Sequence, residues 1–144
     1  MSENEQQVEA SPEEVFAILA DGWTYADWVV GAARIQSVDP GWPQPGCSIR
    51  HSVGAWPLLI DDSTTVEERR QPEYLRLKVR AWPTGEGRVE FFVEPNGTGS
   101  LVRMCEAPVS GPAKLLPRAI TEPALCWRNT ETLRRLRFLA ERQG

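Results

Sequence analysis

The sequence predicts an α+β fold in which a curved antiparallel sheet wraps around one long C-terminal helix, with two short helices near the N-terminus. The first observation is a run of five successive strands, recognised by alternating apolar and polar residues between Ser48 and Glu106. The second is an apolar stripe at helical spacing between Ala124 and Gln143. A curved sheet closed by one helix tends to leave an interior cavity, and cavities bind small molecules.

Two short helices are predicted ahead of the sheet. A polar strand at roughly Glu5 to Glu9 precedes Ser11, which can cap a helix, and Glu14 completes a capping box with it. A glycine at Gly22 suits the end of this helix, because glycine adopts a left-handed conformation without strain. A second short helix is expected from Tyr25 to Val30.

The strands of the sheet are assigned from their alternation and from the turns between them. The loop from Asp39 to Gly46 holds three prolines and two glycines, so strands must flank it. The segment from Tyr74 to Trp82 has the most regular alternation. Glycine-rich turns at 83–87 and 95–99 predict hairpins on both sides of the next strand, and the last strand is expected to end at Glu106.

The last helix should cross the concave face of the sheet. Asn129 interrupts its apolar stripe, and a buried amide needs partners for both its donor and its acceptor. Asn129 could contact a ligand or a carboxylate such as Glu106, or it could pin the helix to the sheet. The stripe comprises Leu125, Asn129, Thr132, Leu136, Leu139 and Ala140.

Several motifs, together with the order of the elements, are similar to those of one known family. They are the segment from Ala10 to Phe16, Trp23 and Trp28 around the second helix, the block from Val102 to Glu106, and Arg128-Asn129 with Leu133 and Leu136. Over nearly its whole length the chain resembles the SRPBCC superfamily, which has the START-like, or Bet v 1-like, helix-grip fold. That superfamily includes polyketide cyclase/dehydrase and lipid transport-like proteins, so the resemblance implies a fold rather than one reaction.

The size and charge of the chain narrow the classes of function. It has 144 residues, of which 41% are hydrophobic and 25% are charged. A chain of this length buries enough surface to fold without disulfides or a structural metal, and we expect one domain over residues 1–144. The formal net charge of −4 disfavours a nucleic-acid partner, because nucleic-acid binding relies on clustered lysines and arginines.

Cysteine usage and hydropathy bear on metal binding and location. The cysteines Cys47, Cys105 and Cys126 are widely spaced, and one histidine accompanies them in the whole chain. This pattern offers no recognised set of metal ligands, so we expect reduced thiols in the core, no metal and no cofactor. The polar N-terminus lacks a signal-peptide pattern and no run of about 18 apolar residues occurs, which predicts a cytoplasmic protein without membrane insertion.

Three polar side chains are candidates for chemistry in the cavity. His51 lies on the side of its strand that should face the cavity, where it could transfer a proton near neutral pH, or it could simply be hydrogen-bonded in place. Asp62 and Glu106 occupy strand positions that should also point inward, and an unpaired carboxyl there could exchange protons. A register shift of one residue, or a position near a wet cavity mouth, would instead leave the two carboxylates in water.

The aromatic residues suggest two further surfaces. Six tryptophans are present, and most are expected to anchor the core or the loops. Trp28, Trp56 and Trp82 lie at the ends of predicted elements, where one of them could instead line a cavity mouth that accepts a flat or greasy ligand. Trp127 and Phe138 lie about three helical turns apart, on the side of the last helix opposite the stripe. If exposed, this pair would form a dimer contact, although packing beneath the proline-rich loop also explains it.

The leading functional hypothesis is that the cavity binds a small hydrophobic molecule, such as a lipid, an isoprenoid or a polyketide-like compound. The resemblance implies an alternative, a cyclase or dehydratase in which His51 or Glu106 moves a proton beside a carbonyl. A third hypothesis is a protein-interaction module that uses the Trp127/Phe138 face, with a possible homodimer. In the leading hypothesis the ligand is oriented by His51, Asp62, Glu106 and Asn129, and the apolar walls are Val53, Ile60, Leu77, Val79, Phe91 and Met104.

Overall fold

A computed structural model of the chain describes the backbone of residues 2–29, 32–53, 60–81, 85–110 and 118–143, and the side chains of 3–29, 35–52, 62–80, 86–109 and 126–142. A short 3₁₀ turn at Gly22–Thr24 precedes the second α-helix. The elements are β1 Ser2–Val8, α1 Pro12–Ala20, α2 Tyr25–Trp28, β2 Ala32–Val38, β3 Ser48–Val53, β4 Ile60–Arg70, β5 Tyr74–Ala81, β6 Gly85–Asn96, β7 Gly99–Ser110 and α3 Arg118–Gln143.

The described strands form one seven-stranded antiparallel sheet in the order β1-β7-β6-β5-β4-β3-β2. The five strands predicted between Ser48 and Glu106 are confirmed as β3 to β7, and the loop at 39–46 is flanked by strands as expected. The last strand continues to Ser110, four residues beyond its predicted end. Its extension pairs with the start of β6, so the hairpin is longer than the alternation indicated.

Helix α1 begins as its sequence predicts. The Ser11 hydroxyl accepts a hydrogen bond from the Glu14 backbone N–H at 3.1 Å, and the Glu14 carboxylate accepts one from the Ser11 backbone N–H at 3.1 Å. Pro12 occupies the first turn, where no backbone donor is required. At the other end, the Trp42 indole N–H donates to the Leu19 carbonyl at 3.2 Å and satisfies a terminal acceptor.

Three predicted boundaries need correction. Strand β1 begins at Ser2, three residues earlier than predicted, because it pairs along β7 as far as Glu106. Helix α2 ends at Trp28, while residues 30 and 31, where its predicted end falls, lie outside the described residues. Helix α3 begins at Arg118 and continues through Pro123, which removes only one main-chain hydrogen bond of a long helix.

The interior lies between the concave face of the sheet and the buried side of α3, which also packs against α1 and α2. The predicted helical stripe is buried at Asn129, Thr132, Leu136 and Ala140, each at most 2% exposed. Leu133 joins it at 1%, Leu139 is half-buried, and the Leu125 side chain lies outside the described side chains.

Helix α3 is fastened to the edge strand β1 at Asn4 and to the residue that follows this strand, Glu9. The Asn4 amide donates to the Thr130 hydroxyl at 3.0 Å and to the Cys126 carbonyl at 3.3 Å. Further along the helix, the Glu9 backbone N–H donates to the Glu141 carboxylate at 2.9 Å. The helix therefore has a fixed position over the sheet, and its buried side faces the interior in one register.

Candidate functional site

The interior side of strands β3 and β4 carries three buried polar residues. His51 is 2% exposed, Asp62 is 9% exposed and Thr64 is fully buried. His51 and Asp62 lie directly opposite each other in the β3–β4 pairing, so their side chains share one face of the sheet. Thr64 follows two residues after Asp62 and points to the same face. The period-two alternation of the strands thus brings a histidine, a carboxylate and a hydroxyl into the interior.

A hydrogen-bonded chain joins His51 to the second helix. His51 Nε2 lies 2.9 Å from Thr64 Oγ1, and the Tyr25 hydroxyl lies 2.9 Å from the same oxygen. The Tyr25 ring also stacks on the imidazole, with 5.2 Å between ring centroids. His51 Nδ1 is buried and has no hydrogen-bond partner within the part of the chain that is described. The protein therefore fixes the imidazole through Nε2.

Burial keeps His51 and Tyr25, the two ends of this hydrogen-bonded series, uncharged at neutral pH. Removal from water lowers the pKa of His51 below its ordinary value of 6.5, although the charge of Asp62 and the Ser52 backbone act in the opposite direction. Burial raises the pKa of Tyr25 to about 12, with the Thr64 hydrogen bond opposing the change. A neutral imidazole and a neutral phenol can each donate or accept a hydrogen bond.

Aromatic side chains pack beside the hydrogen-bonded residues Tyr25, Thr64 and His51. The Trp28 side chain is 1% exposed and meets the rings of Tyr25 and Phe91 edge-on, with centroid distances of 5.4 and 5.7 Å. Trp28 therefore lies in the interior and not at a rim, because α2 is clamped between the sheet and α3. Its indole N–H is buried and has no acceptor among the described residues.

The remaining predicted wall residues divide into two groups. Leu77 and Met104 are buried at 1% and 5% exposure, and Val79 is half-buried against the core. The predictions for Val53, Ile60, Trp56 and Trp82 lie outside the residues whose side chains are described.

Both predicted carboxylates are engaged by arginines. Glu106 Oε1 pairs with Arg128 Nη2, so the expectation of an unpaired carboxyl at Glu106, or of one bound to Asn129, is wrong. Helix α3 carries Arg128 over β7, and a full positive charge is the stronger partner. Glu106 Oε2 remains buried with no partner in the described segments. Asp62 accepts from the Ser63 backbone N–H at 2.9 Å and lies 3.9 Å from Arg80 Nε.

Asn129 is the least satisfied side chain of the interior. It is fully buried, and neither its amide oxygen nor its amide nitrogen has a hydrogen-bond partner among the described residues. It lies on α3, which packs against α2, the helix that carries Tyr25 and Trp28. The buried side of α3 and the Tyr25–Thr64–His51 hydrogen bonds are therefore connected through α2.

Sequence reasoning found His51, Asp62 and Asn129 but missed the roles of Tyr25 and Thr64. Thr64 falls on the inward side of the predicted strand, so a polar residue in that alternation was a usable signal. Tyr25 had no comparable signal, because its partner is 39 residues away.

The cysteines are free, as predicted, but only Cys47 packs against the core, so the expectation of three core thiols is wrong. Cys105 is half-buried on the face of β7 opposite Met104, and Cys126 is exposed where Asn4 of β1 contacts α3. In the described part of the chain, no three histidine, cysteine, aspartate or glutamate side chains are grouped to hold a metal ion. No described helix combines the length and the apolar character needed to cross a membrane.

The outer side of α3 exposes the predicted aromatic pair. Trp127 is 70% exposed and Phe138 is 46% exposed, which excludes the alternative that both pack beneath the proline-rich loop. Arg134 and Arg137 place their guanidinium carbons 5.4 and 6.0 Å from the centre of the Phe138 ring. The dimer contact, the absence of a nucleic-acid partner and the cytoplasmic location stay predictions.

Comparison with known proteins gives one family and many related folds. Residues 2–141 match the family described as polyketide cyclase / dehydrase and lipid transport. No curated protein matches the sequence.

Among solved structures, protein SA2116 of unknown function from Staphylococcus aureus is 12% identical, with 98% of this chain and 93% of that chain aligned and a TM-score of 0.75. Ara h 8.0201 is 14% identical, with 96% and 95% aligned and a TM-score of 0.71. The di-domain ARO/CYC StfQ from the steffimycin biosynthetic pathway is 11% identical, with 98% of this chain but 50% of StfQ aligned and a TM-score of 0.73. These likenesses establish the helix-grip fold.

Proposed function

The chain belongs to the polyketide cyclase/dehydrase and lipid transport family, and we propose that it binds one small, largely apolar molecule between the sheet and α3. One observation carries the proposal. Trp28 Nε1, His51 Nδ1, Glu106 Oε2 and both amide atoms of Asn129 are buried without partners in the described structure. A buried polar atom left unpaired costs about 1–3 kcal/mol, so folded proteins leave few of them. A ligand that carries polar groups at these positions would supply the missing partners.

The surroundings of these atoms suit a ligand that is mostly apolar. Phe91, Leu77 and Met104 contribute apolar surface, and Trp28 and Tyr25 add aromatic faces. Burial of apolar ligand surface would provide most of the affinity, at about 25 cal/mol for each Å² removed from water. The polar groups would then fix orientation. A lipid, an isoprenoid or a polyketide-like compound with a few oxygen atoms meets this description.

We expect the protein purified from its own host to carry a small molecule at a one-to-one ratio. Native mass spectrometry should show added mass that disappears on denaturation. Met104→Trp, which places a larger side chain on the interior face of β7, should reduce the adduct, while Arg103→Trp on the opposite face of the same strand should leave it unchanged. Bare protein that shows no thermal shift against lipids and polyketide-like compounds would contradict the proposal.

The free nitrogen of His51 favours a second candidate function, proton transfer at a carbon beside a carbonyl. Since Glu106 is engaged by Arg128, His51 is the better placed base of the two predicted ones. The neutral imidazole would take the proton from the carbon through Nδ1, leaving an enolate, and would return a proton to the same or another atom. Thr64 would hold the ring through Nε2.

β-Tetralone in deuterium oxide tests this second function. We expect the wild-type protein to speed the exchange of hydrogen for deuterium beside the carbonyl, and His51→Gln to return the rate to that of buffer. Because the pKa of His51 is lowered, the base form persists at neutral pH, and the rate should fall only as the pH passes below the ordinary value of 6.5. Glu106→Gln, which alters the other predicted base, is the matched control and should keep the exchange rate of the wild type. Proton NMR follows the exchange. Equal exchange rates for the wild type and His51→Gln would exclude His51 as the base.

A further inference from the structure

We propose that the interior selects a ligand with a hydrogen-bond donor and an acceptor side by side on one planar edge, read by the amide of Asn129. Lactams, carboxamides and amino-substituted nitrogen heterocycles have such an edge. The inference rests on the proposed binding function and adds the chemistry of the group that is recognised.

Asn129 differs from the polar residues around it on α3. Arg128 pairs with Glu106, and the Thr130 hydroxyl donates to the Cys126 carbonyl at 2.8 Å. Thr132, buried one turn further along, also has an interaction partner. Asn129 alone among these four is fully buried with both polar atoms unused in the described structure. The amide therefore does not fasten the helix to the sheet.

An asparagine at this place is unfavourable for the empty protein. Asparagine forms helix less readily than leucine, and its unpaired amide bears the cost of lost hydration. The next buried positions of the stripe, Leu133 and Leu136, are apolar, as is expected of a helix side that only packs. Ordered water is the competing partner for these two atoms. A ligand group supplies both partners at once.

The geometry of a primary amide defines that group. The oxygen accepts and the nitrogen donates from the same planar edge, so two parallel hydrogen bonds form with a partner of opposite order. Asparagine reads the adenine edge in this way, and such a two-bond pair is worth about 1–3 kcal/mol of discrimination. The rings of Trp28, Tyr25 and Phe91 in the same interior favour a flat molecule.

Three flat bicyclic probes of similar outline test the inference on the wild-type protein. Carbostyril is a lactam with the required edge, N-methylcarbostyril keeps the acceptor but loses the donor, and naphthalene has neither. We expect carbostyril to bind about tenfold more tightly than N-methylcarbostyril, which corresponds to one lost hydrogen bond. Equilibrium dialysis gives the three dissociation constants without any substitution in the chain.

Two variants locate the effect. Asn129→Leu should remove the preference for carbostyril, keep naphthalene binding and raise the melting temperature of the empty protein, because an unpaired amide is gone. Thr132→Val is the matched control on the same stripe and should keep the preference for carbostyril. A lower melting temperature for Asn129→Leu, with the carbostyril preference retained, would assign Asn129 a structural role and overturn the inference.

The remaining outcomes separate the two proposals. Naphthalene binding with no preference for carbostyril would overturn the donor–acceptor inference alone and leave water as the partner of Asn129. Failure of all three probes to bind, together with bare protein in native mass spectrometry, would overturn the proposed binding function and the inference with it.

Discussion

Replacement of Leu136 by alanine should lower the free energy of unfolding by about 2–5 kcal/mol. Leu136 is fully buried on the inner side of α3, where the helix packs against α1 and the sheet. The substitution removes apolar burial and leaves a cavity that the surroundings fill only in part. Because Asn4 of β1 and Glu9, which follows this strand, hold α3, the helix is not free to move inward and close the gap.

Urea denaturation followed by circular dichroism measures this loss. Phe138→Ala is the matched control, since Phe138 lies two residues away on the exposed side of the same helix at 46% exposure. It should change the free energy of unfolding by no more than about 0.5 kcal/mol, as is usual for surface positions. Equal losses for the two variants would show that the outer side of α3 is packed in solution, contrary to the structure.

Replacement of Gly99 by alanine should lower the free energy of unfolding by about 1–3 kcal/mol or more. A Cβ atom at this position would lie 2.1 Å from the Val8 carbonyl oxygen, and a main-chain atom cannot turn aside as a flexible side chain can. Relief requires β1 to separate from β7 at the point where Val8 pairs with Ser100. Since β1 also holds α3, the displacement would reach the helix.

Gly87→Ala provides the comparison for Gly99→Ala. Gly87 also lies in the pairing of β6 with β7, but its added Cβ would be 3.6 Å from the Ala107 carbonyl oxygen, an ordinary contact. Thermal unfolding should therefore separate the two variants by several degrees, with Gly87→Ala close to wild type. The reverse order would show that β1 adapts easily at its end.

Local signals in the sequence were sufficient for most elements. The capping box at Ser11 and Glu14, the alternation in β3 to β7 and the stripe of α3 each depend on residues close in the chain. Strand β2 could only be inferred as a neighbour of the loop at 39–46. Its pairing with β3 shifts register twice, between Ala32 and Arg34 and between Ile35 and Ser37, so its alternation is broken.

The site could be predicted only where it depended on one strand or one helix. Alternation identified His51, and helical spacing identified Asn129. The pairing of Glu106 with Arg128 depends on how α3 packs against the sheet, and these two residues are 22 positions apart in the sequence. The pairing of Tyr25 with Thr64 depends on how α2 packs against the sheet, and these two are 39 positions apart. No local pattern encodes such distant partners. The sequence therefore did not indicate that Arg80 and Arg128 pair with the carboxylates of Asp62 and Glu106.

The Thr64 hydroxyl between Tyr25 and His51 determines what the interior can present to a ligand at His51. It has one hydrogen and two lone pairs. If it donates to Nε2, the ring hydrogen resides on Nδ1, which offers a donor; if Nε2 donates to it, Nδ1 offers a lone pair. The two tautomers differ only in the placement of hydrogens, while every heavy atom stays where it is. A carbonyl and a hydroxyl at the same place in a ligand would be accepted alike, so selectivity at His51 concerns the location of an oxygen atom rather than its kind.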